Sequence, residues 1–201
     1  MSTDAISSTM MDWLPPPESV YRLSVAKYEA MVASGVFTKT DRFHLINGIL
    51  VAKMTEYPPH AASSDATQLA LQSFLPGGWY IRVDKPLRIP SRSSVPEPDL
   101  VITRGLPRAY FHRHPEPADV ALVVEVADSR LNEARDLVAV YGGGGVPVYW
   151  IVNLVDRQVE VYTGPRPDGY QSRQDFTEGK DVPVVIEGRE VGRITVAELL
   201  P

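Results

Sequence analysis

Read for the spacing of its apolar positions, the chain divides into short elements separated by prolines and glycines. Residues 24–34 (SVAKYEAMVAS) predict a helix: Ser24 can cap it, Val25, Tyr28 and Val32 recur at helical spacing, and Gly35 stops it. Residues 43–51 (FHLINGILV) predict a hairpin turned at Asn47-Gly48, because Asn before Gly tolerates the positive φ of a two-residue turn. Pro58-Pro59 are expected to break the chain ahead of a second helix over 61–74. Residues 79–83 predict a strand, and a shorter one is expected between Pro86 and Pro90.

Three strongly apolar runs follow: 99–103 (DLVIT), 119–127 (DVALVVEVA) and 146–155 (VPVYWIVNLV). The second is nearly continuous, as in a strand buried on both faces. Between the last two lies a helical pattern, Leu131–Tyr141, which the run Gly142–Gly145 is expected to end. Strand, helix, glycine stop and strand together predict a β-α-β crossover with parallel neighbours. Residues 158–163 (QVEVYT) alternate and are expected to pair back on the preceding strand through Asp156-Arg157. The remainder predicts two short strands and a terminal helical turn over 196–200. The expected class is α/β (α+β, mixed sheet) with a β-α-β crossover. Residues 1–19, polar and ending in Pro15-Pro16-Pro17, are expected to be a flexible tail, and 20–201 a single domain.

Composition narrows the chemistry. Hydrophobic residues at 44% and charged residues at 22% describe an ordinary globular chain rather than a disordered one. With no cysteine, disulfides, thiol catalysis, thiolate zinc sites and iron–sulfur clusters are excluded. A net charge of −5 argues against a broad basic coat for DNA, although a local basic groove is compatible with it. No apolar run is long enough for a membrane span. The first residues do not join a basic segment to an apolar one, so no secretory signal is expected and a cytoplasmic protein is the default.

The informative polar positions are two acids in strand contexts. Asp99 opens DLVIT, and Glu125 sits inside LVVEVAD among Val and Ala. A carboxylate within a buried strand costs several kcal/mol unless it is paired, protonated or metal-bound. Two readings stay open: Glu125 meets an arginine such as Arg135 across the crossover, or Asp99 and Glu125 share a divalent cation. Mg²⁺ favours one or two carboxylates with waters and phosphate.

The chain also resembles the putative restriction-endonuclease family related to the PD-(D/E)-x-K nucleases. The resemblance is carried by FHLINGILV (43–51), PPH (58–60), PEPDLVI (96–102), LVVEVADS (122–129) and VPVYWIVNLVDRQVEVY (146–162), which come in the family's order and cover about residues 20–170. It implies a restriction-endonuclease-like fold and Mg²⁺- or Mn²⁺-dependent hydrolysis of phosphodiester bonds in DNA. Asp99 and Glu125 would then be the metal ligands, with the Val126 carbonyl as a third. The family's usual Glu is His44 here, and its usual Asp is Asn47. Its usual lysine, on the helix after the second acid, falls on Leu137 or Val138 depending on where one gap is placed. Arg135 matches an arginine that often accompanies that lysine, and His60 matches a histidine common in the family.

Each of these positions also has a plainer reading. His44 is a half-buried strand residue or a ligand for a softer metal, and His60 is a helix-start residue or part of the site. The segment 104–114 (RGLPRAYFHRH) interleaves Arg104, Arg108 and Arg113 with aromatic residues, which suits phosphate and base contacts. It follows the Asp99 strand directly and is expected at the mouth of the site; the alternative is a solvated loop. His112-x-His114 lacks a third metal ligand. Gly142–Gly145 is not a phosphate loop, since no Lys-Ser/Thr follows. Two function classes remain: a metal-dependent endonuclease, or a non-catalytic descendant of that fold that binds nucleic acid or protein. A homodimer is expected of an enzyme that cuts two-fold symmetric DNA, with the second hairpin strand and Trp150–Val152 as interface material.

Overall fold

A computed structural model describes residues 16–38, 40–53 and 57–201. At its centre is a six-stranded sheet of β3 (Trp79–Val83), β4 (Leu100–Arg104), β5 (Val120–Ala127), β6 (Val148–Asn153), β7 (Gln158–Arg166) and β8 (Gly169–Thr177), in that spatial order. Only β5 and β6 run parallel, and the chain between them forms the expected crossover. The other four pairings are antiparallel, so the sheet is mixed. Every residue of β6 is buried, as its unbroken apolar run requires of a central strand. Trp150–Val152 are therefore core and not interface material, which corrects the expectation that they face a partner.

Two layers cover the sheet. One face carries Leu100, Ile102, Val124, Val126, Trp150 and Val152, and packs on helix α2 (Pro58–Gln72) and a separate hairpin of β9 (Asp181–Ile186) and β10 (Arg189–Thr195). The opposite face carries Val101, Val123, Tyr149 and Ile151, and packs on α3 (Leu131–Asp136) and α4 (Val138–Gly144). On α2, Ser63, Thr67 and Leu71 are buried at successive four-residue steps, which lays one stripe of the helix on the sheet.

The N-terminal elements match their sequence signals. Helix α1 (Val25–Ala33) is capped by Ser24, whose side chain accepts from Lys27 N–H, and the hairpin of β1 (Phe43–Ile46) and β2 (Ile49–Ala52) turns through Asn47 and Gly48 at positive φ. Of the expected tail, residues 1–15 lie outside the described residues, and Pro17–Ser19 form one 3-10 turn.

Four local expectations are corrected. Pro58 and Pro59 begin α2 rather than precede it, because the first helical N–H groups have no partner to lose. Between Pro86 and Pro90 no strand forms; Ile89 makes a single bridge to Ser94 ahead of a 3-10 turn. The C-terminal region holds three strands, β8, β9 and β10, rather than two. The glycine run does not stop a helix at Tyr141: Gly142–Gly144 are helical, and Gly145 at φ +92° is the left-handed cap. Packing supplies the reason. A Cβ on Gly142 would collide with the Gly169 carbonyl, on Gly143 with the Arg92 guanidinium, and on Gly144 with the Ile89 side chain. The glycines let α4 lie flush against its neighbours.

Candidate active site

The β4–β5 register brings the two acids together. Leu100 pairs with Val124, so Asp99 and Glu125 stand one step beyond that pair on adjacent strands, on the face that carries α3 and α4. Val126 N–H donates to Asp99 Oδ2 at 2.7 Å, and His60 Nε2, from the first turn of α2, lies 3.2 Å from the same oxygen. Tyr141, on α4, donates its hydroxyl to Glu125 Oε1 at 2.6 Å. Both acids open onto a cavity of about 160 Å³ whose walls include His44, Lys53, His60, Glu97 and Leu137.

The electrostatics follow from burial and from the charges set around this cavity. Glu125 is held up to about 8, first by burial away from bulk water and then by the charge of Asp99; the Tyr141 hydrogen bond, the Asp99 amide and Lys53 only partly oppose this. His44 is pushed down to about 4, chiefly by burial and further by Lys53, with Glu133 pulling the other way, so it is neutral at pH 7. Its Nδ1 is buried without a hydrogen-bond partner. For Lys53, burial disfavours the ammonium, yet Asp84 and Glu97 outweigh it and raise its pKa. Nζ lies 3.0 Å from Asp84 Oδ1 and 3.5 Å from Glu97 Oε2.

Of the positions singled out from the sequence, Asp99, Glu125, Val126, His44 and His60 all line this cavity. Arg135 does not. It turns away from the cavity toward β7 and forks onto the fully buried Glu160, with Nε 3.2 Å from Oε2, so it is not the partner of Glu125. Of the two positions on which the family's lysine can fall, Leu137 lines the cavity, whereas Val138 packs toward Gly169 on β8.

The basic segment does not line this cavity itself, although its residues 110–114 share an adjoining pocket with Glu97, which lines both. Asp99 precedes β4 and Arg104 ends it, so the segment begins about 17 Å away along the strand. Arg104 pairs with Glu187 and stacks on Trp79, and Arg113 forks onto Asp119. Arg108 is exposed in a 3-10 turn. Lys53 and Tyr141 are the site residues that sequence reasoning missed as such. Tyr141 closed a helical pattern in the sequence, and Lys53 carried no local signal.

Among the described residues no group of three or more His, Asp and Glu side chains is arranged to hold a metal ion. The donors that are present still fit a hard divalent cation. The two carboxyl groups offer oxygen ligands of the kind such an ion takes, and the repulsion by Asp99 that helps keep Glu125 protonated is what a bound cation relieves.

A mixed sheet with one parallel crossover, with its acids on adjacent strands at one cavity, defines a restriction-endonuclease-like fold. The chain belongs to the Uma2 family, described as putative restriction endonuclease, whose profile matches residues 25–197. It is also similar to the crystal structure of a putative nuclease belonging to DUF820 from Anabaena variabilis. That likeness has a TM-score of 0.64 at 13% identity and covers 88% of this chain and 97% of the other. At that identity it concerns the fold. No curated protein matches the chain. Among the described residues no helix is long and apolar enough to cross a membrane.

Proposed function

We propose that the protein is a divalent-metal-dependent endonuclease that hydrolyses phosphodiester bonds in DNA, with Asp99 and Glu125 as its essential acids. The observation that carries this reading is the meeting of the two carboxylates, from adjacent strands, at one cavity. Asp99, Glu125 and the Val126 carbonyl would hold Mg²⁺ or Mn²⁺. When bound, such an ion supplies positive charge that polarises a phosphoryl oxygen and lowers the pKa of water.

The protein's own groups orient these acids. Val126 N–H and His60 fix one oxygen of Asp99, and Tyr141 fixes one oxygen of Glu125, leaving each carboxylate a second oxygen for the cavity. Neutral His44 adds no charge that would repel a cation. A duplex cut on both strands calls for a second copy, so a homodimer belongs to the proposal.

The test is cleavage of supercoiled plasmid and of single-stranded DNA in Mg²⁺ or Mn²⁺, with an EDTA control and Asp99→Ala alongside. Metal-dependent nicking that disappears in the variant is expected. A second reading, a non-catalytic binding module on the same fold, is favoured by Leu137 at the lysine position. Metal binding and DNA binding without any cleavage would select it.

A further inference from the structure

Leu137 leaves the helix after Glu125 without a cation where the cavity faces it, yet the cavity is not without a lysine. Lys53 follows β2, the second hairpin strand, and lines the same cavity as Asp99, Glu125 and Leu137. We propose that Lys53 supplies, from the hairpin, the positive charge that stabilises the scissile phosphate and orients the attacking water. This inference rests on the nuclease reading above.

Four observations support it. Lys53 is the one lysine among the described residues that line the cavity. Its side chain is only 18% exposed, and its ammonium stands beside Glu97 on the cavity wall, with Asp84 outside the lining. An ammonium has three N–H donors, and these two contacts leave one for a substrate oxygen. Arg130, the other cation of the lining, pairs with Glu133 at 3.4 Å on the rim.

In the hydrolysis the water oxygen bonds to phosphorus and the P–O bond to one deoxyribose oxygen breaks. One water proton ends on that leaving oxygen, and the other stays with the new phosphate monoester or passes to solvent. Lys53 keeps its own proton and acts by charge alone. The plain alternative is that Lys53 only ties the hairpin to Asp84 and Glu97. Asp84→Asn distinguishes the two, because it weakens the tie while leaving the ammonium in place.

The experiment compares wild type with K53M, K53R, D84N and the double variant K53M/L137K. It follows binding of a short duplex oligonucleotide in Ca²⁺ and its cleavage in Mn²⁺, with melting temperature checked for each protein. K53M is expected to bind about 10-fold more weakly and to cleave at least ~100-fold more slowly, as when a preorganised charge-stabilising donor is lost. K53R keeps binding but cleaves more slowly, since its forked head carries the charge to a different place. D84N stays within about 3-fold of wild type, and L137K in the double variant restores part of the cleavage. A folded K53M that binds and cleaves as wild type does overturns the proposal, and so does a D84N that reproduces the K53M losses. If K53M does not fold, unchanged cleavage by K53R overturns it. A wild type that binds duplex without cleaving sinks the nuclease reading alone, and K53M binding then judges Lys53. A wild type that neither binds nor cleaves overturns both.

Discussion

Tyr141 donates its hydroxyl to Glu125 Oε1 at 2.6 Å, joining the middle of the most buried strand of the site to the helix that crosses over it. That hydrogen bond answers how a carboxylate can stand among valines without an arginine: it has a neutral donor, and burial holds it largely protonated at pH 7. The Tyr141 ring in turn packs on Tyr149 at 4.8 Å between centroids, so the donor is fixed by the core rather than by a loop. Tyr141→Phe keeps that packing and removes only the donor. We expect a loss of about 1–2 kcal/mol in unfolding free energy, and a smaller loss in an E125Q background. Equal losses in both backgrounds, read from urea unfolding, would count against the coupling.

Asp99→Asn keeps shape and hydrogen-bond capacity but removes charge. Mn²⁺ affinity by calorimetry is expected to fall at least ~10-fold, while the apo fold is retained. An unchanged affinity would remove Asp99 from the metal set.

Arg135→Ala probes the side of α3 that faces β7 rather than the cavity. It leaves the fully buried Glu160 with Arg173 as its remaining cation, at 3.2 Å. Stability is expected to drop by roughly 1–3 kcal/mol with Mn²⁺ affinity unaltered. A clear change in metal affinity would return Arg135 to the site.

His44 predicts a pH dependence. Its folded pKa, about 4, lies below the ordinary value of 6.5. The unfolded chain therefore binds more protons between those values, and stability rises with pH through that window and is lost as pH falls toward 4. For this one group the effect is on the order of 2–3 kcal/mol. His44→Gln is expected to flatten that part of the profile; thermal unfolding from pH 4 to 7 provides the check.

The glycine run makes a test of sign. By helix propensity alone, Gly→Ala within α4 gains up to about 1 kcal/mol. At Gly142 the new methyl meets the Gly169 backbone, which cannot move aside, so a net loss of roughly 1–3 kcal/mol is expected. At Gly143 it meets the end of Arg92, a flexible side chain, and the change should be close to neutral. Equal melting temperatures for G142A and G143A would contradict this packing account.

Local patterns carry far in this chain because they depend on neighbours a few residues apart. The Ser24 cap, the Asn47-Gly48 turn, the alternation of 158–163 and the unbroken apolar run of 146–155 each specify an element without knowledge of the rest. The β-α-β crossover was legible for the same reason, and so were Asp99 and Glu125, because an acid within an apolar strand is conspicuous wherever the strand lies. The family motifs placed these pieces in one order, and the fold agrees with it.

What the sequence left open depended on contacts between distant segments. Whether Glu125 meets Arg135 or Tyr141 is decided by the face of the helical layer that turns inward, and Leu137 rather than Val138 faces the cavity for the same reason. Four glycines in a row read locally as a helix stop; the close approach of Arg92, Ile89 and Gly169 makes them the part of α4 that fits. The basic segment starts a strand's length from Asp99, because the acid precedes β4 and Arg104 ends it, and only the fold brings residues 110–114 back beside Glu97. Lys53 had no local signal at all. It lies 46 residues before Asp99 in the chain, and only the folding of the β1–β2 hairpin against the Asp84 and Glu97 segments brings its charge to the two acids.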